Sequence, residues 1–361
     1  MINNLRNCLV LFACVATANL FAQGIITTPR AASPAASISQ TIGISTVAVS
    51  YSRPSVKERE IWGKLVPYGW NVQNFGSRNE APWRAGANEN TVITFSHDAK
   101  IEGKSVPAGS YGLFLVINQD NSGELILSKD YQAWGSFWYD ATNDQMRSKI
   151  NVRDHTFTEM LTYEFTNITN NSTELVLNWE KKQFPVKIEF DVNNIVMANA
   201  TKELTGPIGF TWQGYNSAAN YSLQNDVNLE QGLKWAERAS TANKNYTALQ
   251  TKSDLLKKLG KTEDASKVSQ EALTVATEFE LNNRGYQLLN QKNYDDAIAV
   301  FTMNTDRHPE SANAWDSLGE AYALKGDKKN AIKNFKKSLS LNPPQNVKDN
   351  SEKYLKQLAA M

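Results

Sequence analysis

The stretch WDSLGEAYALKGDKKNAIKNFKKSLSLNP, from Trp315 to Pro343, decides the architecture of the carboxyl-terminal half. Its anchors repeat those of the stretch before it at an interval of thirty-four residues: Gly285, Ala297, Phe301 and Pro309 recur as Gly319, Ala331, Phe335 and Pro343. Small residues at Gly319 and Ala331 let two antiparallel helices approach closely, aromatic rings fill the space between them, and Pro343 stops the second helix. A fixed period of this length marks stacked helical hairpins, each burying its apolar face against its neighbours. Two weaker copies align upstream, one from about Tyr246 through Gly260, Ala265 and Ala272, the other from about Gln213 through Leu223, Gly232 and Ala239. The polar segment Asn346 to Ala360 reads as the capping helix such an array needs.

Moving outward from the repeats, the pattern changes before about residue 200. From Ile44 to Val192 apolar residues alternate with polar ones: Val47, Val49 and Tyr51; Leu161, Tyr163 and Phe165; Leu175, Leu177 and Trp179; and Phe184, Val186, Ile188, Phe190 and Val192. Period two predicts half-buried strands. Turn signals at Pro107 to Gly109, Asn118 to Gly123 and Thr169 to Thr173 fall at the short spacing of an antiparallel sandwich or barrel. Tyr111 to Ile117 is apolar on both faces and belongs in the middle of a sheet. The expected fold is therefore an antiparallel β-sandwich-like domain followed by an all-α helical repeat solenoid.

At 361 residues the chain is long enough for two domains, and its 41% hydrophobic content with nine Trp, thirteen Tyr and fourteen Phe supplies core material for both. The first twenty-three residues carry one positive charge at Arg6, an apolar run from Cys8 to Ala18 and small-residue exits at Ala18 and Ala22, the pattern of a secretory leader. An alternative is the lipobox-like run Leu11 to Cys14, in which Cys14 would carry a lipid anchor. Both cysteines lie in this leader, so cleavage leaves no thiol for disulfide, nucleophile or metal. Cleavage also removes Arg6 and leaves thirty-seven charges of each sign, which provides no footprint for nucleic acid. No stretch has the length of a membrane span. The chain reads as leader 1–23, linker 24–40, β-rich domain 41–192, linker 193–211 and helical repeats with a cap 212–361, with export to the periplasm as the expected destination.

Two family resemblances follow. Trp315, Leu318, Gly319, Tyr322, Ala331, Phe335 and Pro343 resemble the tetratricopeptide repeat pattern almost in full; the preceding copy departs from it at Leu281, Arg284 and Leu288 but keeps Tyr294. The β-rich half, about residues 40 to 192, is similar to the DUF2911 family of exported bacterial proteins, mostly from the Bacteroidetes, which has no assigned activity. That similarity rests on Tyr51-Ser52-Arg53-Pro54, Ile61-Trp62-Gly63, Leu65-Val66-Pro67-Tyr68-Gly69, Pro107-Ala108-Gly109-Ser110-Tyr111, Trp134-Gly135 and, most specifically, Pro82-Trp83-Arg84-Ala85-Gly86-Ala87-Asn88-Glu89. Members commonly carry a helical repeat tail. The chain departs from the family in the insertion-like stretch Asn71 to Glu80.

The densest functional cluster is Trp83, Arg84, Asn88 and Glu89, with Arg53 after a strand and Trp134 in a later loop. Guanidinium, amide, carboxylate and indole together suit recognition of a small polar ligand: Arg binds carboxylate or phosphate, Asn and Glu bind hydroxyls, and Trp stacks on a sugar face. The competing reading is a structural corner in which Arg84 or Arg53 pairs with Glu89 and Trp83 plugs the sandwich. Catalytic templates are missing. The three histidines lack a second ligand at metal-binding spacing, His97 and Asp98 fall side by side on an expected strand and so point apart, and no phosphate loop, dinucleotide fingerprint or serine elbow occurs. No metal or cofactor is expected. The leading expectation is an exported binding or scaffold protein whose partner, a protein or peptide, sits in the repeat groove on Asn282, Tyr286, Asn313, Asp316 and Glu320. The alternative is a carbohydrate-active or other hydrolytic enzyme using Glu89 with Arg84, with Glu102 and Asp144 as further carboxylates and the repeats as a docking module.

Overall fold

A computed structural model describes residues 32–360 and divides into two compact units, one holding Thr46–Glu189 and the other Phe190 onward. In the β unit, strands β1 (Ala35–Ile42), β2 (Ser45–Ser52), β5 (Val92–Phe95), β8 (Gly109–Ile117), β9 (Ser122–Ser128) and β10 (Asp144–Asn151) form a six-stranded sheet in the order β1-β2-β5-β8-β9-β10. A second sheet runs β11 (Arg153–Thr166), β12 (Ser172–Phe190), β6 (Ala99–Ile101), β7 (Lys104–Val106), and a short hairpin pairs β3 (Asn71–Val72) with β4 (Glu80–Ala81). The registered pairs are antiparallel, as the short turn spacing predicts.

The doubly apolar run is β8, an interior strand with Tyr111 to Ile117 buried. β5 covers only Gly109 to Gly112 of its edge. Farther along, Trp83 takes over, exchanging two backbone hydrogen bonds with Leu115 at 2.9 and 2.8 Å. Tyr51 of β2 meets Tyr163 of β11 edge to face at 4.7 Å and its hydroxyl accepts from the Tyr163 N–H, joining the two sheets through the core.

Three local expectations change. Residues 35–40, read as linker, belong to β1, a sheet-edge strand of mostly small and polar side chains that carries almost no apolar signal. The two alternating runs around Trp179 and Phe184 are one strand, β12, interrupted at Glu180, whose φ of 53° breaks the period where the register with β11 slips. His97 and Asp98 lie in a bend after β5, where Asp98 accepts from the Ala108 N–H at 2.8 Å.

In the helical unit, α1 (Val192–Glu203) occupies much of the expected second linker; only its Met197 is buried, so its amphipathic signal is faint. Four hairpins follow: α2 (Trp212–Asn225) with α3 (Leu229–Ala242), α4 (Tyr246–Lys258) with α5 (Thr262–Val275), α6 (Glu278–Asn290) with α7 (Tyr294–Arg307), and α8 (Ala312–Lys325) with α9 (Lys328–Leu339). The last helix, α10 (Gln345–Ala360), packs on α8 and α9.

The thirty-four-residue register recurs as physical contacts. A Cβ at Gly285 would lie 2.4 Å from the Phe301 ring, and one at Gly319 would lie 2.9 Å from the Phe335 ring. Asn304 on α7 donates to the Glu278 carbonyl at 3.2 Å, and Ser338 on α9 donates to the Ala312 carbonyl at 2.8 Å, the same tie one repeat later. No helix among the described residues is long and apolar enough to cross a membrane. The leader and Cys14 lie outside the described residues.

Candidate functional site

The Trp83 to Glu89 run forms a loop pinned at its carbonyls. Ser136 donates to Pro82 O at 2.6 Å, while Thr91 and the buried Tyr163 hydroxyl both donate to Ala85 O at 3.1 and 2.9 Å. Ala85 and Asn88 adopt left-handed backbone, φ 49° and 61°, which folds the run into a tight double turn. Each bond leaves the loop fewer ways to move, so the side chains it carries are held in place.

Arg84 projects from this loop into a cradle. Its Nη1 donates to Asn88 O at 2.5 Å and its guanidinium carbon lies 5.0 Å from the Phe137 ring centroid. The opposite contact is Gly135, at φ 65°: a Cβ there would sit 2.1 Å from the guanidinium carbon. Burial pushes the Arg84 guanidinium below its ordinary pKa. Trp83 stacks on the buried Trp179 at 5.8 Å and meets Trp62 edge to face at 5.8 Å, and Trp62 Nε1 donates to Glu180 at 3.1 Å.

Of these residues, Pro82, Trp83, Arg84, Asn88, Ser136 and Trp179 line a pocket of about 610 Å³, in the size range of small-molecule sites. Of the six residues singled out from sequence, Trp83, Arg84 and Asn88 line it together. Glu89 borders a separate depression with residues of β1 and β2. Where the competing corner reading pairs Arg84 or Arg53 with Glu89, Arg84 takes the Asn88 carbonyl and the Phe137 ring as partners. Arg53 spends its guanidinium on β11, donating to Leu161 O at 3.0 Å and to Thr162 at 2.6 Å. Trp134 is half exposed and lines neither hollow.

Sequence reasoning missed Lys57, Arg59, Asn71, Gln73 and Trp179, which complete the wall. Asn71 and Gln73 come from the insertion-like stretch, so that departure from the family pattern shapes the pocket. Lys57 follows Val56 into a turn of two left-handed residues, and Arg59 holds that turn by donating to Val56 O at 3.0 Å and Ser55 O at 2.5 Å. The carboxylates of the hydrolase alternative stand apart. Glu102 accepts from the Lys187 N–H at 2.5 Å, and Asp144 accepts from the Tyr139 hydroxyl at 2.7 Å and Arg147 Nε at 2.6 Å. Among the described residues lining the pocket there is no Asp or Glu.

Three of the five array residues, Tyr286, Asp316 and Glu320, form ladders between successive helices of the repeat register. Asp316 of α8, 5% exposed, accepts from Asn350 at 2.8 Å and from Ser351, both on α10. The Tyr286 hydroxyl donates to Glu320 at 3.0 Å, and so does that of Tyr354. Burial raises the pKa of the Asp316 carboxyl and of the Tyr286 phenol, and burial with the Glu320 charge pushes the Tyr354 phenol up to about 12. Asn282 is half-buried with its Oδ1 lacking a hydrogen-bond partner among the described residues, and Asn313 is exposed. Asp316 therefore faces α10 instead of an open groove, a correction that follows from α10 continuing the thirty-four-residue register: Asn350 stands to Asp316, and Tyr354 to Glu320, as one repeat to the next.

The chain thus combines a β domain that carries a pocket with an array of helical hairpins. Residues 33–188 match the model of the family described as a protein of unknown function, DUF2911, and residues 312–344 match that of the tetratricopeptide repeat. The β-rich part is thus a DUF2911 domain and the helical part a tetratricopeptide repeat array. Among curated proteins, mouse superkiller complex protein 3 is 34% identical over 76 residues, 21% of this chain and 5% of that protein's length. Among solved structures, YrrB, a tetratricopeptide repeat protein with an unusual peptide-binding site, is 19% identical over 45% of this chain and 89% of its own, with a TM-score of 0.27. A tetratricopeptide repeat protein from Parabacteroides merdae is 17% identical over 45% of this chain and 64% of its own, with a TM-score of 0.29.

Proposed function

We propose that this chain is an exported scaffold whose helical array holds a protein or peptide partner and whose β domain holds a small polar ligand. The observation that carries the reading is the array itself. Four successive hairpins and a closing helix present aligned first-helix surfaces, a form suited to contact with an extended or helical partner. Export is supported by the leader pattern around Arg6 and Cys8 to Ala18 and by the cysteine-free remainder. The ligand reading of the β domain is supported by the pinned loop, which holds Trp83, Arg84 and Asn88 on one hollow.

Recognition through the array requires exposed first-helix side chains. Asn313 is such a position; Asp316, Tyr286 and Glu320 brace the helices against one another. Crosslinking in the native host, followed by mass spectrometry of what copurifies with the processed chain, should return a discrete partner at fixed stoichiometry. Recovery of the chain alone across the full range of crosslinker would contradict the proposal.

A further inference from the structure

The β-domain pocket has a one-sided chemistry. Its charged lining residues are Lys57, Arg59 and Arg84, all cationic, with no carboxylate among the described lining residues to balance them. Arg84 gives one N–H to Asn88 O and stacks its face on Phe137, and among the described residues no further acceptor is recorded for its other guanidinium N–H groups. Trp179, 1% exposed, lines the same pocket, and its indole N–H is buried without a hydrogen-bond partner among the described residues. Indole and guanidinium groups donate and never accept. The charge that the described lining presents is therefore all positive, and it belongs to groups that donate without accepting.

A half-buried guanidinium without a counter-charge costs free energy, as its lowered pKa reflects, and an anion entering the pocket offsets that cost. Lys57 and Arg59 are exposed, where their charge steers an anion inward more than it holds it. The rest of the lining, Pro54, Leu65, Val66, Pro67 and Pro82 with the Trp83 indole, is apolar and asks for a hydrocarbon or ring.

We infer that the DUF2911 domain of this chain binds a small organic anion, its carboxylate or phosphate group held by Arg84 and approached past Lys57 and Arg59, its apolar part set against Trp83. This inference rests on the ligand reading of the β domain and adds the ligand's charge and amphipathic character.

The test uses the purified full chain and four probes of one shape: phenyl phosphate, benzoate, neutral benzamide and cationic benzylamine, each titrated against intrinsic tryptophan fluorescence. The two anions should bind saturably and benzamide roughly tenfold or more weakly, since a charge-assisted hydrogen bond is lost with the charge; benzylamine should not bind. Whichever anion binds tighter identifies the head group. Arg84→Met should weaken both anions by about tenfold or more and leave benzamide unchanged. Because Arg84 is packed against Gly135, the exposed Lys57→Gln serves as the variant that keeps the fold. It should weaken anion binding by about threefold, an effect that disappears in about 1 M salt, where charges are screened within a few ångströms. Equal affinity for benzamide and benzoate would overturn the anion inference while leaving a polar-ligand pocket standing. Saturable binding by none of the four would overturn both.

Discussion

Gly135→Ala tests whether the Trp134-Gly135 turn exists to seat Arg84. At φ 65° an alanine pays about 1 kcal/mol for the left-handed backbone alone. Its Cβ would also stand 2.1 Å from the Arg84 guanidinium carbon, far inside van der Waals contact, so the guanidinium must leave. Leaving breaks the charged hydrogen bond to Asn88 O, about 1.5–3 kcal/mol, and the stack on Phe137, about 0.5–1 kcal/mol. The total is about 3–5 kcal/mol. Gly103→Ala is the matched control: its φ is 77° and nothing lies within 4 Å of its added Cβ, so only the backbone cost of about 1 kcal/mol applies. Native-state hydrogen exchange on the interior strand β8 reads the opening free energy of the unit for each variant. In an Arg84→Met background the excess cost of Gly135→Ala should shrink toward that of the control. If Gly135→Ala and Gly103→Ala cost the same in the wild-type chain, the cradle argument is wrong.

Three further outcomes follow from the same contacts. Gly285→Ala should destabilise the array by about 1–2 kcal/mol net of its helix-propensity gain, and Gly319→Ala by less, because the added Cβ meets Phe301 at 2.4 Å but Phe335 at 2.9 Å; far-UV melts give the order, and a reversed order contradicts the ring-on-glycine account. The Asp316 carboxyl has a folded pKa above its ordinary value of 3.8, so it binds its proton more tightly folded than unfolded, and its stabilisation is present at low pH and is lost as pH rises through the folded value. The stability difference between wild type and Asp316→Asn should therefore move against the wild type across that interval and stay level above it; a flat difference throughout would remove the burial argument. Intact mass of the chain from host envelope should begin near Gln23 or Gly24, whereas an acylated Cys14 establishes the anchored alternative and full-length cytosolic chain contradicts export.

What could be read from sequence followed the reach of each signal. Period two marked β2, β8, β11 and β12 because a buried strand must alternate or be wholly apolar, and the Gly–Phe spacing gave the hairpins because one ring fills the place of one missing Cβ. β1 and α1 were illegible for the converse reason: an edge strand and a helix with one buried residue need little apolar pattern. Trp83, Arg84 and Asn88 are neighbours in one loop and could be grouped by eye. Trp179, Lys57 and Arg59 reach the same pocket through strand pairing and a left-handed turn, which no local spacing reveals. The burial of Asp316 was not legible because Asn346 to Ala360 reads as a polar cap, although α10 continues the thirty-four-residue register.

Whether the first helices of the array carry the partner is read by site-specific photo-crosslinking in the living host. The crosslinking residue is placed in turn at Asn313, exposed on the first helix α8, and at Lys329, exposed on the second helix α9. One discrete protein adduct is expected from position 313 and none from position 329. An adduct from position 329 alone, or indistinguishable adducts from both, would contradict it.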